Sequence, residues 1–189
     1  KQNFIKIIQK SGQRMLNTVN DLIDISKIET GQMSVVLTPA NVKEILFSQY
    51  CFFQPEAEEK KLNFILNDKL DQTNALVSTD VVKLDSILTN LIKNSLKYTD
   101  LGSVEIGCYK QNEKLFFYVK DTGIGIPENR QAAVFNRFEQ ADVGDKRAYQ
   151  GSGLGLTIAK AYVEMLGGKM ELASKVGFGS TFSFFIPAS

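Results

Sequence analysis

A six-residue segment with the sequence DTGIGI, residues 121–126, constrains the fold of this chain more than any other part of the sequence. It follows an alternating apolar run, Leu115, Phe117 and Val119, that is typical of a β-strand. The strand therefore ends in an acid, Asp121, which can accept a hydrogen bond from an amino group of a ligand. The two glycines allow the backbone to approach such a ligand closely or to adopt positive φ angles. Alone, the same pattern also fits a plain tight turn, so its meaning depends on the rest of the chain.

The composition excludes several functional classes. Basic and acidic residues nearly balance, 22 against 21, which gives no indication of a nucleic-acid or membrane-surface partner. The sequence has no run of about 18 apolar residues, so it predicts no transmembrane helix. The chain contains no histidine, which excludes imidazole catalysis and histidine-based zinc sites. It also means that this chain cannot accept a phosphoryl group on histidine.

Two further features concern the context of the chain. It starts without methionine and inside a helical pattern, so we expect it to be a segment cut from a longer protein. Its two cysteines, Cys51 and Cys108, lie far apart in the sequence. We predict that both are free thiols in a reducing compartment.

The first 29 residues predict one long helix that ends at Gly31. Apolar or small residues recur at alternating spacings of three and four, and further apolar residues widen the stripe. This pattern fits the seam of a helix that packs in a bundle, and it also fits an amphipathic helix that lies on its own domain. The stripe comprises Ile5, Ile8, Gly12, Met15, Val19, Leu22 and Ser26, widened by Phe4, Leu16 and Ile23.

The rest of the chain alternates between strand and helix patterns. Asn41 is a suitable N-cap for the first of these helices, in which Pro55 can cause a bend or a break. Thr38-Pro39 is expected to end the strand before it. Gly167-Gly168 ends the last helix. We predict strands at 33–37, 62–66, 75–78, 103–110, 113–120, 169–176 and 180–186, and helices at 42–60, 80–98, 127–138 and 157–166.

The helix predicted at 80–98 has an apolar face and a distinct polar one. Asn90, Asn94 and Lys97 recur at spacings of four and three, so their side chains share one side of the helix. Asparagine is a poor helix former, and this stripe indicates either a solvated face or a convergent ligand site. In a ligand site, an asparagine carbonyl oxygen suits Mg²⁺, and a lysine one turn further on suits a phosphate.

A second glycine-rich segment follows a polar stretch, residues 140–150, that has no apolar periodicity and predicts a mobile loop. Gly151, Gly153 and Gly155 then lead directly into a helix. Glycines let backbone N–H groups converge, and a helix N-terminus favours anionic oxygens, so the arrangement predicts a phosphate cradle. It lacks the P-loop sequence, and it is a poor dinucleotide fingerprint because it comes late in the chain.

The polar and glycine-rich segments occur in a fixed order, at residues 90–99, 121–125, 135–138, 151–156 and 177–182. Together they resemble the ATP-binding catalytic domain of bacterial sensor histidine kinases, within the gyrase, Hsp90, histidine-kinase and MutL ATPase superfamily. The resemblance covers residues 34–187. Residues 22–31 resemble the second helix of the family's dimerisation and phosphoacceptor region, whose first helix carries the acceptor histidine and is absent from this chain. We therefore assign residues 1–31 to that region and residues 32–189 to the catalytic domain.

This resemblance implies a two-layer α/β sandwich, a mixed sheet backed by three helices, preceded by one long bundle helix. ATP would lie on the helix side of the sheet. Asp121 would bind the adenine amino group, Gly123 and Gly125 would shape the adenine pocket, and Tyr98 would pack near the base. The other residues implied to contact the nucleotide are Ile126, Phe138, Leu154 and Thr181.

The resemblance also implies the phosphate contacts. Asn94 would coordinate Mg²⁺, Asn90 would lie beside the phosphates, and Lys97 would contact a phosphate. Arg147 would reach the γ-phosphate from a mobile lid. The residues implied to hinge that lid, cradle the triphosphate or anchor the base of the lid are Gly151, Gly153, Gly155, Phe135 and Phe138.

Asn90 discriminates between activities within the superfamily. The ATP-hydrolysing members carry glutamate at the corresponding place, where it activates water, and asparagine cannot act as that general base. The sequence therefore favours transfer of the γ-phosphoryl group to a histidine outside this chain. Two alternatives stay open, a nucleotide-sensing or dimerisation module with degenerate catalysis, and an ATPase or serine kinase of the same superfamily.

Partners and location are implied by the resemblance alone. ATP and Mg²⁺ are the expected substrate and cofactor. The expected protein partners are the phosphoacceptor-histidine helix of the parent kinase and the receiver domain of a response regulator. The full-length protein is expected to form a homodimer and to have no nucleic-acid partner. The catalytic domain is expected in the cytoplasm, with a membrane-anchored parent as the family-level expectation.

Overall fold

The computed structural model describes residues 2–70, 75–138 and 153–188. Its helices are α1 (Gln2–Glu29), α2 (Val42–Glu59), α3 (Val81–Tyr98), α4 (Glu128–Gln131) and α5 (Gly155–Met165). A 3₁₀ turn, Ala133–Phe135, follows α4. The strands are β1 (Thr38–Asn41), β2 (Asn63–Asp68), β3 (Leu76–Thr79), β4 (Ser103–Gln111), β5 (Lys114–Asp121), β6 (Lys169–Lys175) and β7 (Gly179–Pro187).

The main sheet has five strands in the order β2-β4-β5-β7-β6. β2 runs parallel to β4, and all the other neighbouring strands are antiparallel. A parallel pair needs a crossover connection, which the segment containing α3 provides. β1 and β3 form a separate antiparallel pair. The sheet is therefore mixed, which confirms the prediction.

Alternation along the strands turns one face of the main sheet toward the helices. In β5, Leu115, Phe117 and Val119 are fully buried, whereas Phe116 and Tyr118 on the other face are partly exposed. Residues of α2, α3 and α5 join the inward strand residues in one apolar core. The two-layer sandwich with three covering helices is thus confirmed.

The central helix of the covering layer is α3. Its N-cap, Asp80, accepts a hydrogen bond from the Lys83 N–H, which satisfies one amide of the first turn. Each fully buried aliphatic side chain on this helix contributes about 1.5–3 kcal/mol of stability. This burial fixes the polar side of α3 relative to the sheet. The buried face consists of Leu84, Ile87, Leu88, Leu91, Ile92 and Leu96.

The last turns of α1 pack against the sandwich. Ile25 is buried in the core, the Tyr162 hydroxyl donates to Asp24 Oδ2 at 3.1 Å, and Arg137 forms an ion pair with Glu29. No described helix combines the length and the apolar character needed to cross a bilayer. Ile25 lies outside the predicted apolar stripe, and the large apolar residues of the stripe itself are exposed, which favours the bundle interpretation over a helix that lies on its own domain. The exposed residues are Phe4, Ile5, Ile8, Met15, Leu16, Val19, Leu22 and Ile23.

The strand predicted at residues 33–37 is wrong. β1 begins at Thr38 and includes Pro39, which is paired with Ser78 in the β1–β3 ladder. The proline is tolerated because each strand of a two-stranded ladder has a free edge, where its missing N–H costs nothing. The segment before β1 bonds to α3 instead, since the Val36 N–H donates to Asp80 Oδ2 at 3.0 Å.

The helix predicted at residues 127–138 is wrong in its extent. It ends at Gln131, and Phe138 has a φ angle of 58°, in the left-handed region. The Phe138 N–H donates to the Gly153 carbonyl oxygen at 3.2 Å, so the chain leaves helical geometry where it meets the glycine-rich segment. By contrast, α2 continues through Pro55 without interruption. Both cysteines are free thiols, as predicted.

Candidate functional site

Asp121 is a buried carboxylate at the end of β5, with 6% of its surface exposed. Its Oδ1 accepts hydrogen bonds from the backbone N–H groups of Gly123 at 2.9 Å and Ser180 at 3.1 Å. The Ser95 hydroxyl lies 3.4 Å from Oδ2. Burial raises the pKa of Asp121 above its ordinary value, and these three donors offset that rise only in part. Oδ2 therefore keeps acceptor capacity for an amino group of a ligand.

The loop after Asp121 approaches its neighbours too closely for side chains at two of its glycines. A Cβ on Gly123 would lie 2.3 Å from the Tyr98 carbonyl oxygen, and one on Gly125 would lie 2.1 Å from the Lys175 carbonyl oxygen. Gly125 also has a φ angle of 71°, which glycine adopts without strain. The glycines thus allow the loop to lie between the end of α3 and the β6–β7 hairpin.

Backbone hydrogen bonds hold this loop on both sides. The Ile124 N–H donates to the Tyr98 carbonyl oxygen at 3.2 Å, and the Gly177 N–H donates to the Ile124 carbonyl oxygen at 2.8 Å. The Ile126 N–H donates to Ser174 Oγ on β6 at 2.8 Å. The position of Asp121 is therefore coupled to α3 on one side and to the hairpin on the other.

The polar side of α3 meets the second glycine-rich segment. Asn90, Asn94 and Lys97 are all half-buried on this helix. A Cβ on Gly155 would lie 2.7 Å from Asn90 Oδ1, so the Asn90 carboxamide lies against the first residue of α5. The Lys97 Nζ lies 4.6 Å from the centre of the Tyr98 ring. The structure thus brings the asparagine stripe and the glycine segment together.

The glycine-rich segment is described from Gly153 onward, and Gly151 and Arg147 lie outside the described residues. Gly153 has a φ angle of 71°, and Leu154, directly before α5, is fully buried. Among the described residues, no side chain caps the N-terminus of α5. Backbone N–H groups at a helix N-terminus favour anionic oxygens, and the phosphate cradle at this place stays a prediction.

Two phenylalanines flank this segment. The Phe135 ring packs edge-on against Phe182 at 6.3 Å between centres, and its carbonyl oxygen accepts a hydrogen bond from the Thr157 hydroxyl at 2.9 Å. The Phe138 side chain is largely exposed, and its backbone N–H donates to the Gly153 carbonyl oxygen. Phe135 thus links the core to α5 at the base of the glycine segment.

Thr181 lies apart from the predicted residues on α3 and α5. Alternation along β7 turns Ser180 and Phe182 toward the helices and Thr181 toward the opposite face, in a row with Lys120 and Ala173. The hydrogen bond to Asp121 comes instead from the residue before it, Ser180. The inward apolar alternation of the following strand residues could have identified this position from the sequence.

Ser95 is a second residue near Asp121 that was not predicted from the sequence. It is almost fully buried within the apolar face of α3, and its hydroxyl points to Asp121. Its helical spacing from Leu88, Leu91 and Ile92 shows that it shares their inward side. A hydroxyl on an otherwise aliphatic face was the signal that could have revealed it.

An open cavity of about 350 Å³ lies where β5 and β6 end and β7 begins. Asp121, Ser180 and Thr181 line it, whereas the predicted residues on α3 and α5 do not. The cavity therefore includes the Asp121 end of the candidate site and not the part formed by α3 and α5. Its lining residues are Lys120, Asp121, Ala173, Ser174, Lys175, Phe178, Gly179, Ser180 and Thr181.

The magnesium role of Asn94 stays a prediction, and the residues around it can be compared with what Mg²⁺ requires. The carboxamide is half-buried, one helical turn from Asn90. Among the described residues, no group of three or more acidic, histidine or cysteine side chains could hold a metal ion. A single neutral oxygen leaves most of an octahedral shell to phosphates and water, as Mg²⁺ prefers in nucleotide sites.

Residues 79–189 match the family described as histidine kinase-, DNA gyrase B-, and HSP90-like ATPase. The matched range covers more than half of the chain and contains all five of the ordered sequence segments. It begins just before α3 and ends after β7.

Individual relatives show the same similarity. The circadian input-output histidine kinase CikA of Synechococcus elongatus is 35% identical over 187 residues, which cover 98% of this chain and 25% of that protein. Full-length ShkA, solved with AMPPNP, matches 99% of this chain and 38% of its own with a TM-score of 0.84 at 24% identity. The structure of the histidine kinase ThkA, solved with the response regulator TrrA, matches 98% of this chain and 51% of the ThkA chain. Its TM-score is 0.76, at 22% identity. This chain spans about a quarter of the length of the curated relatives that it matches.

Proposed function

Because this chain belongs to the histidine kinase-, DNA gyrase B- and HSP90-like ATPase family, as the catalytic domain of a sensor histidine kinase, we propose that it binds Mg-ATP and phosphorylates a histidine outside its 189 residues. The observation that carries this proposal is the contact between Asn90 on α3 and Gly155 at the start of α5. It unites two segments, far apart in the sequence, whose chemistry suits phosphates and their counter-ion.

Adenine recognition is assigned to Asp121. Its Oδ2 would accept the hydrogen bond of the adenine amino group, while the Gly123 and Ser180 N–H groups fix the carboxylate through Oδ1. Ser180 is added to this assignment because its backbone N–H donates to Asp121 directly, and the role of Thr181 stays a prediction. The residues that would complete the adenine side are Tyr98, Gly123, Gly125, Ile126, Phe138 and Leu154.

The triphosphate would lie between the polar side of α3 and the N-terminus of α5. Asn90 and Lys97 would contact phosphate oxygens, and Asn94 would hold Mg²⁺, which supplies charge neutralisation when bound. The loose transition state of phosphoryl transfer needs positioning and charge stabilisation more than covalent chemistry from the protein. Gly151, Gly153 and Gly155 are assigned to the phosphate cradle, and Arg147 to the γ-phosphate.

Transfer, not hydrolysis, is the proposed outcome. Asn90 occupies the place where a general base would activate water, and a carboxamide cannot take up the proton. Since the chain contains no histidine, the acceptor lies on another segment. The nucleophile would be a neutral imidazole nitrogen, which attacks the γ-phosphorus in line while the bond to ADP breaks.

The wider signalling role extends this proposal. We assign residues 1–31 to the dimerisation and phosphoacceptor region and residues 32–189 to the catalytic domain, acting in the cytoplasm within a homodimer. The exposed apolar stripe of α1 supports the dimer. The phosphohistidine would pass its phosphoryl group to the receiver aspartate of a response regulator, and the ThkA structure with TrrA supports a partner of that class.

The direct test supplies the acceptor separately. The chain is incubated with Mg-ATP labelled in the γ-phosphate, alone and with a helical segment from a related kinase that carries the acceptor histidine. We expect acid-labile label on the added segment and none on this chain. Asp121→Asn serves as the control that should reduce labelling at subsaturating ATP.

Three results would contradict the proposal. Acid-labile label on this chain alone cannot arise from phosphohistidine and would exclude the assigned chemistry. Steady phosphate release without any labelled acceptor would indicate an ATPase instead. Tight ATP binding with no transfer to any acceptor tried would favour a nucleotide-sensing module.

A further inference from the structure

Both backbone polar groups of Ile126 are held by two side chains outside the predicted site. The Ile126 N–H donates to Ser174 Oγ at 2.8 Å. The Gln131 Nε2 donates to the Ile126 carbonyl oxygen at 3.0 Å and to the Ser174 carbonyl oxygen at 2.9 Å. Because an amide nitrogen carries two hydrogens, Gln131 uses its full donor capacity to join the loop to β6.

The same network continues to Asp121. The Ser174 hydroxyl lies 3.0 Å from the Gly179 carbonyl oxygen and 2.9 Å from the Ser180 hydroxyl. The Ser180 N–H in turn donates to Asp121 Oδ1. The start and the end of the 121–126 loop are thus bonded to the same hairpin.

The position of Gln131 gives this network a second role. It is the last residue of α4, shortly before Phe135, whose carbonyl oxygen is bonded to α5 through Thr157. Gln131, Ser174 and Ile126 are all half-buried, where losing a hydrogen-bond partner costs more than at an exposed site. The network therefore joins the adenine side of the candidate site to the base of the glycine segment.

We propose that Gln131 is a positioning residue that sets the adenine preference of the site by holding the 121–126 loop against β6. This inference rests on the proposed function, in which Asp121 recognises the adenine amino group. Guanine carries a carbonyl oxygen where adenine carries that amino group, so a fixed Asp121 carboxylate repels it. A loop released from β6 relaxes this discrimination.

The test compares Gln131→Met, which removes both donated hydrogen bonds at similar side-chain length, with Gln111→Met at an exposed position on β4. Dissociation constants for ATP and GTP are measured by competition against a fluorescent nucleotide, together with the melting temperature. For Gln131→Met we expect roughly a three- to tenfold loss of ATP affinity and a smaller change for GTP, so the ratio falls. Gln111→Met should keep the wild-type ratio.

A purely structural role for Gln131 would lower the melting temperature and leave the ATP to GTP ratio unchanged, and that result overturns the inference. Ser174→Ala provides a second test, because it removes the acceptor of the Ile126 N–H, together with the bonds of the hydroxyl to Gly179 and Ser180, and leaves Gln131 in place. It should lower the ratio in the same direction. If Gln131→Met does not fold, an unchanged ratio in Ser174→Ala overturns the inference. Failure of the wild-type chain to bind ATP would contradict the proposed function itself.

Discussion

Two buried aspartates lie near opposite ends of α3, and they have different partners. Asp80, 4% exposed, caps the N-terminus and forms an ion pair with Lys83 at 2.8 Å. Asp121, 6% exposed, lies beside Ser95 in the last turns and accepts hydrogen bonds from neutral groups. Within the described residues, no lysine or arginine forms an ion pair with Asp121. One carboxylate is therefore compensated inside the fold, and the other is left with capacity for a ligand.

The two environments shift the pKa values in opposite directions. Burial acts to raise the pKa of Asp80, but the Lys83 ammonium and the backbone N–H groups of Val36 and Lys83 outweigh it, so the pKa falls below 3.8. For Asp121, burial prevails and the pKa rises above 3.8. Ionised Asp80 stabilises the fold above pH 3.8, and this contribution is lost as the pH falls through its lowered pKa. Ionised Asp121 costs stability, and this cost appears as the pH rises toward and through its raised pKa.

The largest effect that we expect is a loss of folding stability when the ion pair between Asp80 and Lys83 is broken. Lys83→Met leaves the Asp80 carboxylate buried without its cation and removes the bond from Lys83 Nζ to the Ser34 carbonyl oxygen. Removing one partner of a buried ion pair lowers the free energy of unfolding by about 3–5 kcal/mol. We expect urea denaturation at neutral pH to show a loss of this size in the free energy of unfolding.

The double variant Asp80→Asn with Lys83→Met is the matched control for this prediction. It leaves no buried charge, and we expect it to recover a substantial part of the lost stability. If the single and double variants were equally destabilised, the cost would come from packing of the lysine stem and not from the uncompensated charge.

A smaller effect, on binding instead of folding, is expected at the other end of α3. Asp121→Asn keeps an oxygen that can accept from Gly123 and Ser180, but it replaces Oδ2 by an amide that cannot accept from adenine. A hydrogen bond to a charged group is worth about 1.5–3 kcal/mol, so ATP affinity should fall roughly ten- to hundredfold. Calorimetric titration measures this loss, and urea denaturation should show little change. Unaltered ATP affinity would remove Asp121 from the site.

Only one of the two aspartate environments could be predicted from the sequence. Asp121 could be singled out because local signals surround it, an alternating strand before it and two glycines after it. The periodicity that buries α3 likewise predicted which side of the helix carries Asn90 and Asn94. Patterns of period two and period 3.6 decide these features within a single element.

The partners of Asp80 could not be predicted in the same way. Beyond the nearby Lys83, they involve the Val36 N–H, which donates to Asp80, and the Ser34 carbonyl oxygen, which accepts from Lys83. Both residues lie more than forty positions away, in a segment that was predicted to be a strand. The error arose because Pro39 was expected to end that strand, whereas the free edge of a two-stranded ladder accepts proline. Contacts between distant segments depend on tertiary packing, which no local pattern encodes.

The smallest effect that we expect is a loss of ATP affinity at mildly acidic pH, where Asp121 and Asp80 differ in protonation. As the pH falls from neutrality, Asp121 should protonate first, because its pKa is raised, and a protonated carboxyl group accepts the adenine amino group less well. Asp80 stays ionised to lower pH because its pKa is lowered. ATP affinity should therefore decline while circular dichroism still reports a folded chain. Affinities are compared with those of Asp121→Asn at each pH, since protonation of ATP itself affects both proteins equally. If the wild type and the variant lost affinity in parallel, Asp121 would not be the group that titrates in the site.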